Sequence, residues 1–318
     1  MVAGAAALAG GACLANDSTA AIGAGGLQLI ENYMVELVRE DLTIGPDRIT
    51  IRYVFHNTSE TDVDTLVGFP MPPIDMRQAY ESDLAQLGAA PNYMDFSVTV
   101  DGVPVEPLVE ARATVIGHDV TDRLEELGLP VGGFDVSLYD TLEALPAETR
   151  AELQAEGIAQ FDEYDGTVTA YPTWTFQTTF YWQQRFPAGA DTVIEHSYTP
   201  SVGWAFFGSY DVEEVGTTPT FWDRFCMDDA LLAAAAEKVG DTYVLTTHVE
   251  YILVTARNWL GPIGTFHLTV DKGDPERLVA TCMEGLVETG PTTLELTVTD
   301  FVPEQNLDIL FIEGQPVE

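Results

Sequence analysis

From Ile49 to Phe55 every second residue is large and apolar. Ile49, Ile51, Tyr53 and Phe55 fall on one side of an extended chain, and Arg48, Thr50, Arg52 and His56 on the other. Successive side chains of a strand point to opposite faces, so this pattern predicts a strand with one face in a core. The polar run Asn57 to Asp62 supplies side chains that satisfy a turn, and a second apolar run, Leu66 to Phe69, ends at Pro70, Pro72 and Pro73. Together they predict a β-hairpin as the organising unit. The same alternation returns with larger side chains further on. Trp174, Phe176, Thr178, Phe180 and Trp182 alternate with Thr175, Gln177, Thr179, Tyr181 and Gln183. Aromatic rings at period two each bury about 150–250 Å², which makes this a core strand before it is a ligand platform.

Other stretches repeat the pattern. Residues 33–44 read as a strand turned by Gly45-Pro46-Asp47. Phe96, Val98 and Val100 lead into Asp101-Gly102, a strong two-residue hairpin signal because both turn positions need positive φ. Strands are expected at 192–199, 243–256, 263–271, 278–282, 292–300 and 307–312. Consecutive hairpins without intervening helices predict a mainly β protein, an antiparallel β-sandwich architecture of one large or two packed sandwiches. The expected division is a leader over 1–15, an N-terminal sandwich part over 16–117, a helical insertion over 118–160, a C-terminal β part over 161–313 and a disordered tail over 314–318. In the insertion Val120, Leu124 and Leu127 keep helical spacing, and Pro146 followed by Glu148 marks a favoured helix start. One further helix is expected near 221–238, with Asp223 or Asp228 as its cap. Residues Ala24-Gly25-Gly26 do not complete a nucleotide-binding glycine fingerprint and read as a flexible lead-in.

The 318 residues hold 51 acidic and 13 basic side chains, a formal charge of −38. Such a surface repels phosphate, so no nucleic acid partner is expected and anionic lipid headgroups are poor partners. It also repels itself, and salt damps that repulsion as the Debye length falls from about 10 Å at 0.1 M to about 3 Å at 1 M. Adaptation to saline surroundings is the first reading, and an acidic surface that gathers cations or a basic partner is the second. Residues 1–15 are small, apolar and uncharged, and resemble the apolar and cleavage regions of an export signal ending at Ala15, without the usual preceding Lys or Arg. This is the expectation of a truncated signal peptide. The segment is shorter than the roughly 20 apolar residues a transmembrane helix needs, and no transmembrane span is expected in the mature chain. Lipidation of Cys13 ranks below simple cleavage, because Gly10-Gly11-Ala12 lacks the usual branched residue. Cys226 and Cys282 then remain, and an oxidising compartment would pair them. Two buried free thiols are the alternative.

His56, His118, His196, His248 and His267 form no His-Glu-x-x-His motif or His pair at helical spacing. His248-x-Glu250 puts two metal-competent groups on one strand face, one or two short of a site. Asp62-x-Asp64 and Asp162 to Gly166 are fragments of calcium loops without the full pattern. No Gly-x-Ser-x-Gly elbow is present, and no cofactor is indicated. What remains is the apolar loop 200–210, whose Trp204, Phe206, Phe207 and Tyr210, with His196 before it, are the candidate ligand or partner contacts.

Several separate motifs carry a family resemblance. They are Asn16-Asp17-Ser18-Thr19-Ala20, Arg52 to Ser59 with Phe69-Pro70-Met71-Pro72, Glu195 to Gly203, Tyr251-Ile252-Leu253, Asn258 to Gly264, and Val270-Asp271-Lys272-Gly273. In this order they resemble the exported bacterial family called domain of unknown function 4424, across nearly the whole mature chain. The resemblance implies a periplasmic or secreted protein and brings no activity or catalytic residue. It also places Cys226 and Cys282 at positions associated with cysteine in the family, which supports their pairing. The expected function is that of a non-enzymatic envelope β-sandwich module, either structural or binding an envelope protein or a ligand. The alternative is a periplasmic hydrolase with a site under the helical insertion.

Overall fold

In strand Ile49–Asn57 the residues Ile49, Ile51, Tyr53 and Phe55 are buried while Thr50 and Arg52 are exposed, as the alternation requires. The long strand Thr175–Phe186 likewise buries Phe176, Thr178, Phe180, Trp182, Gln184 and Phe186. A computed structural model describes residues 16–23, 26–77, 91–132, 137–217 and 220–316. Among these the fold is mainly β, with two large sheets face to face and a third, four-stranded sheet beside them.

The first sheet runs, neighbour to neighbour, His118–Asp119, Leu108–Val115, Thr175–Phe186, Val63–Pro70, Ser18–Gly23 and Gly26–Ile30, with Ile74–Asp75 added on Thr175–Phe186. The second runs Val287–Glu288, Thr293–Phe301, Ile263–Asp271, Val35–Ile44, Ile49–Asn57, Asp191–Tyr198, Ser97–Val100 and Val103–Val105. Pairing is antiparallel except between Ile263–Asp271 and Val35–Ile44, which are parallel. Rings from the two sheets meet between the layers: Phe55 with Phe186 at 5.6 Å, Phe69 with Tyr198 at 5.7 Å, and Phe96 with Phe180 at 4.3 Å between centroids. At about 25 cal/mol per Å², each such ring contributes up to about 4–6 kcal/mol of burial before entropic costs.

The expected organising hairpin is an arch instead. Ile49–Asn57 pairs with Val35–Ile44 and Asp191–Tyr198 in the second sheet, whereas Val63–Pro70 pairs with Ser18–Gly23 and Thr175–Phe186 in the first. Both strands bury an apolar face in the same core, but from opposite layers. Asn57 holds the crossing: its Nδ2 donates to the carbonyls of Thr61 and Phe186, each at 2.9 Å, and its Oδ1 accepts from Ser59 N at 3.0 Å. A true hairpin lies at Asp101-Gly102, where a two-residue turn is expected, and a second lies where none is expected. Asp101 and Gly102 have φ of 49° and 74° between Ser97–Val100 and Val103–Val105. Asp165 and Gly166, in one of the calcium-loop fragments, form the turn of a separate hairpin, Ala159–Tyr164 with Thr167–Pro172.

The boundaries at 117 and 161 do not separate sheets, because strands from before and after the insertion alternate in both large ones. Among its described residues the insertion holds three short helices, Thr121–Glu126, Ser137–Glu143 and Ala147–Glu156, whose Leu124, Leu138, Leu142 and Leu153 join the main core. The glycine-rich lead-in is also ordered on both sides: Ser18–Gly23 pairs with Gly26–Ile30, and Ala24 and Gly25 lie outside the described residues.

The third sheet runs Gly203–Gly208, Tyr243–Tyr251, Leu307–Pro316 and Leu278–Ala280. Its period-two alternation feeds two cores. Ile309 and Phe311 belong to the main core, while Leu310 and Ile312 join Phe207, Trp222, Phe225, Val239 and Val244 in a second. The single helix expected over 221–238 is broken. A 3-10 turn, Phe221–Phe225, ends at Cys226 with φ 50°, and a helix restarts over Asp229–Val239 with Asp228 accepting from Leu231 N at 2.8 Å. The break sets Cys226 opposite Cys282, and the two are disulfide-bonded with Cα atoms 4.9 Å apart. The expected disordered tail begins instead as strand, since Leu307–Pro316 carries pairing to Pro316 opposite Val244.

Candidate binding cleft

The second core closes only part of the third sheet's face. Along this face the residues change from Val244, Leu310 and Ile312, covered by helix Asp229–Val239, to the polar His248, Glu250 and Asp308. Here Pro72 to Asp75, at the edge of the first sheet, approach Ser201, Gly203, Trp204, Ala205 and the 3-10 turn. Between them lies a cavity of about 410 Å³, lined by these residues with Phe221, Trp222, Arg224, His248 and Glu250. Among the described residues of the helical insertion, none lines it.

Arg224 organises the polar side. Glu250 and Asp308 face each other across neighbouring strands, an arrangement that like charges destabilise. The guanidinium is hydrogen-bonded to Asp308 and lies 3.9 Å from Glu250, and it rests 5.6 and 5.3 Å from the ring centres of Phe221 and Phe225. A planar cation with its edge on carboxylates and its face on rings is what arginine, and not lysine, provides. Burial, and then the Asp308 charge, raise the Glu250 carboxyl, with Arg224 opposing them. Burial, and then the nearby Arg224 charge, push His248 down to about 4, so its ring is neutral near pH 7. That ring lies over Gly203: a Cβ there would stand 1.8 Å from His248 Cε1, so glycine admits it.

The sequence-derived candidates separate here. Trp204 lines the cleft and meets Phe206 edge-on at 5.8 Å, and Phe206 and Tyr210 are 51% and 70% exposed nearby in sequence. Residues 203–208 are a strand of the third sheet and not a loop. Strand alternation turns Phe207 inward, where it is fully buried against Trp222, so it is removed as a contact. His196 is removed as well. It is buried between the large sheets among Tyr53, Phe69, Phe96 and Trp182, with Nε2 at 3.0 Å from Asp17 Oδ1. Both side chains of that pair have zero exposure. Around it Trp259 Nε1 donates to the Asp17 carbonyl at 2.6 Å, and Glu40 accepts from Asn16 Nδ2 at 3.0 Å and from the Tyr251 hydroxyl at 3.2 Å. Among the described residues no group of three His, Cys, Asp or Glu could hold a metal ion. No described helix is long and apolar enough to cross a membrane.

Sequence reasoning missed Phe221, Trp222 and Arg224, and weighed His248 and Glu250 only as metal ligands. The available signal was Arg224 flanked by Phe221 and Phe225 in a chain poor in basic residues.

Comparison with known proteins gives a family and, at low similarity, solved structures of two kinds of protein. Residues 15–310 match the family described as "Domain of unknown function (DUF4424)". A Legionella pneumophila protein described as a "putative nutrient binding protein" is 13% identical, with a TM-score of 0.44, over 90% of this chain and 69% of its own. An M1 zinc metallopeptidase bound to L-arginine is 8% identical with a TM-score of 0.26, and one from Deinococcus radiodurans bound to Tyr-Ser-Ala is 10% identical with a TM-score of 0.21. The match to each covers 89% of this chain and 43% of the peptidase. Comparison with curated proteins gives no match.

Proposed function

We propose a role on the premise that this chain belongs to the family of the domain of unknown function DUF4424: it is an exported bacterial envelope module that binds a ligand in the seam cleft and does no chemistry on it. The observation that carries this reading is the cleft itself, about 410 Å³ with Trp204, Phe221 and Trp222 rings beside a tethered Arg224. Binding sites of about 300–1,000 Å³ typically combine apolar walls with a few placed polar groups. The disulfide between Cys226 and Cys282 and the leader-like first residues support export. Arg224 is already engaged by Glu250 and Asp308, so the cleft suits a neutral or cationic ligand with an apolar body better than an anion.

The test is a fragment titration followed by NMR signals of the Trp204 indole and His248 ring. Neutral and cationic fragments are expected to shift both signals and to lose the effect in Trp204→Ala. Shifts confined to other parts of the protein, or a preference for anionic fragments, would refute the reading.

A further inference from the structure

We propose that Asn16 is the mature amino terminus, and that its α-ammonium, carried into the core by folding, is the counter-ion of Glu40. This inference does not depend on the cleft. Asn16 and Asp17, just ahead of strand Ser18–Gly23, and Ser18, its first residue, have zero exposure, and Thr19 has 1%, an unusual placement for four polar residues in a row. They reach the junction where the Tyr251 hydroxyl of the third sheet meets Glu40 and Tyr53 of the second.

Among the described residues no positive charge acts on Glu40. Its carboxylate accepts from Asn16 Nδ2 and Tyr251, and the charges acting on it, Asp17 and Asp41, are both negative. Burial pushes Glu40 up to about 8, the condition of a carboxyl without a cation. The His196 ring faces Asp17 and not Glu40. The hydroxyls of Tyr53 and Tyr251 bond to each other, and burial raises both well above the ordinary phenol value. Donors are also short: Asn16 Oδ1 and Asp17 Oδ2 are buried acceptors without a hydrogen-bond partner among the described residues. An α-ammonium brings one positive charge and three N–H donors. The α-nitrogen of Asn16 is a few covalent bonds from its own Nδ2, which is 3.0 Å from Glu40.

The modification that creates this group is hydrolysis by a leader-removing peptidase. Water adds across the Ala15–Asn16 peptide bond, the C–N bond breaks, and a carboxylate on Ala15 and an ammonium on Asn16 result. The small residues ending at Ala15 fit such a cut. Processing thereby makes a partner that the unprocessed chain lacks.

The experiment begins with protein produced with its leader and purified from the envelope. Intact mass is expected to place the terminus at Asn16. Reductive methylation read at the Asn16 peptide should leave its amine unmodified in folded protein and modified in urea. A second form with a Gly-Ser extension before Asn16 serves as comparison: it should unfold at a lower temperature, and Glu40→Gln should lower the unfolding temperature more in the Asn16-start form than in the extended form. A mature terminus elsewhere, an amine modified as fast in the folded protein as in urea, or equal Glu40→Gln effects in the two forms would overturn the proposal. The labelling result stands without any variant, so a Glu40→Gln protein that fails to fold does not rescue or sink it.

Discussion

Replacing Arg224 by Met keeps most of the apolar stem and removes the charge between Glu250 and Asp308. Two unit charges 3.9 Å apart, the Arg224 to Glu250 distance, interact by about 4 kcal/mol at an effective dielectric near 20. That is a ceiling, because the side chains of Arg224 and Glu250 are 36% and 32% exposed, and that of Asp308 is 26% exposed. Exposed pairs contribute about 0–1 kcal/mol, and breaking buried pairs costs about 3–5 kcal/mol. The site lies between, so Arg224→Met should cost about 2 kcal/mol at pH 8. The sign with pH follows from Glu250, whose folded pKa is already raised and rises further without Arg224. Stability tied to a raised carboxyl is present at low pH and lost as pH rises through the folded value. The cost should therefore shrink toward pH 4.5. Urea unfolding of both proteins at pH 8 and pH 4.5 reads this directly. Equal midpoints at pH 8, or a larger loss at pH 4.5, would refute the role assigned to Arg224.

His248 titrates in the opposite sense. With a folded value of about 4 against 6.5, it contributes stability that is full above 6.5 and lost as pH falls toward 4, up to about 3 kcal/mol; His248→Gln should flatten the stability curve over that interval in urea titrations. Cys226→Ser with Cys282→Ser opens a loop with a sequence separation of 56 and should cost about 4 kcal/mol by the chain-entropy argument, a loss visible as a lower urea midpoint and reproduced in wild-type protein by reductant. With a formal charge of −38, the protein should gain thermal stability as NaCl is raised toward 1 M, and a flat or falling curve would count against a charge-repulsion account.

The strands were legible because alternation is a local property. Ile51, Tyr53, Phe176 and Phe180 had to be inside whatever their partners were, and all four are buried. Partner choice was not local. The run Asn57 to Asp62 reads equally as a hairpin turn or as an arch between layers, and the difference lies in Asn57 donating to the carbonyl of Phe186, distant in sequence. The cleft was harder for the same reason. Trp204 was visible as an aromatic between glycines, but its opposite wall comes from Pro72 to Asp75 and Arg224, which only the tertiary fold brings near it. His196 and Phe207 misled because their types suit both a site and a core. For Phe207 the parity of strand Gly203–Gly208 decides, and for His196 the buried Asp17 does.

The account rests most heavily on the seam cleft being occupied in the cell. Protein purified natively from the envelope should release, on denaturation, a small molecule detected by mass spectrometry that is depleted in Trp204→Ala and Arg224→Met proteins folded to the same extent. Recovery of no such molecule, or its recovery in equal amount from all three proteins, would contradict the claim that this cleft is where the protein binds.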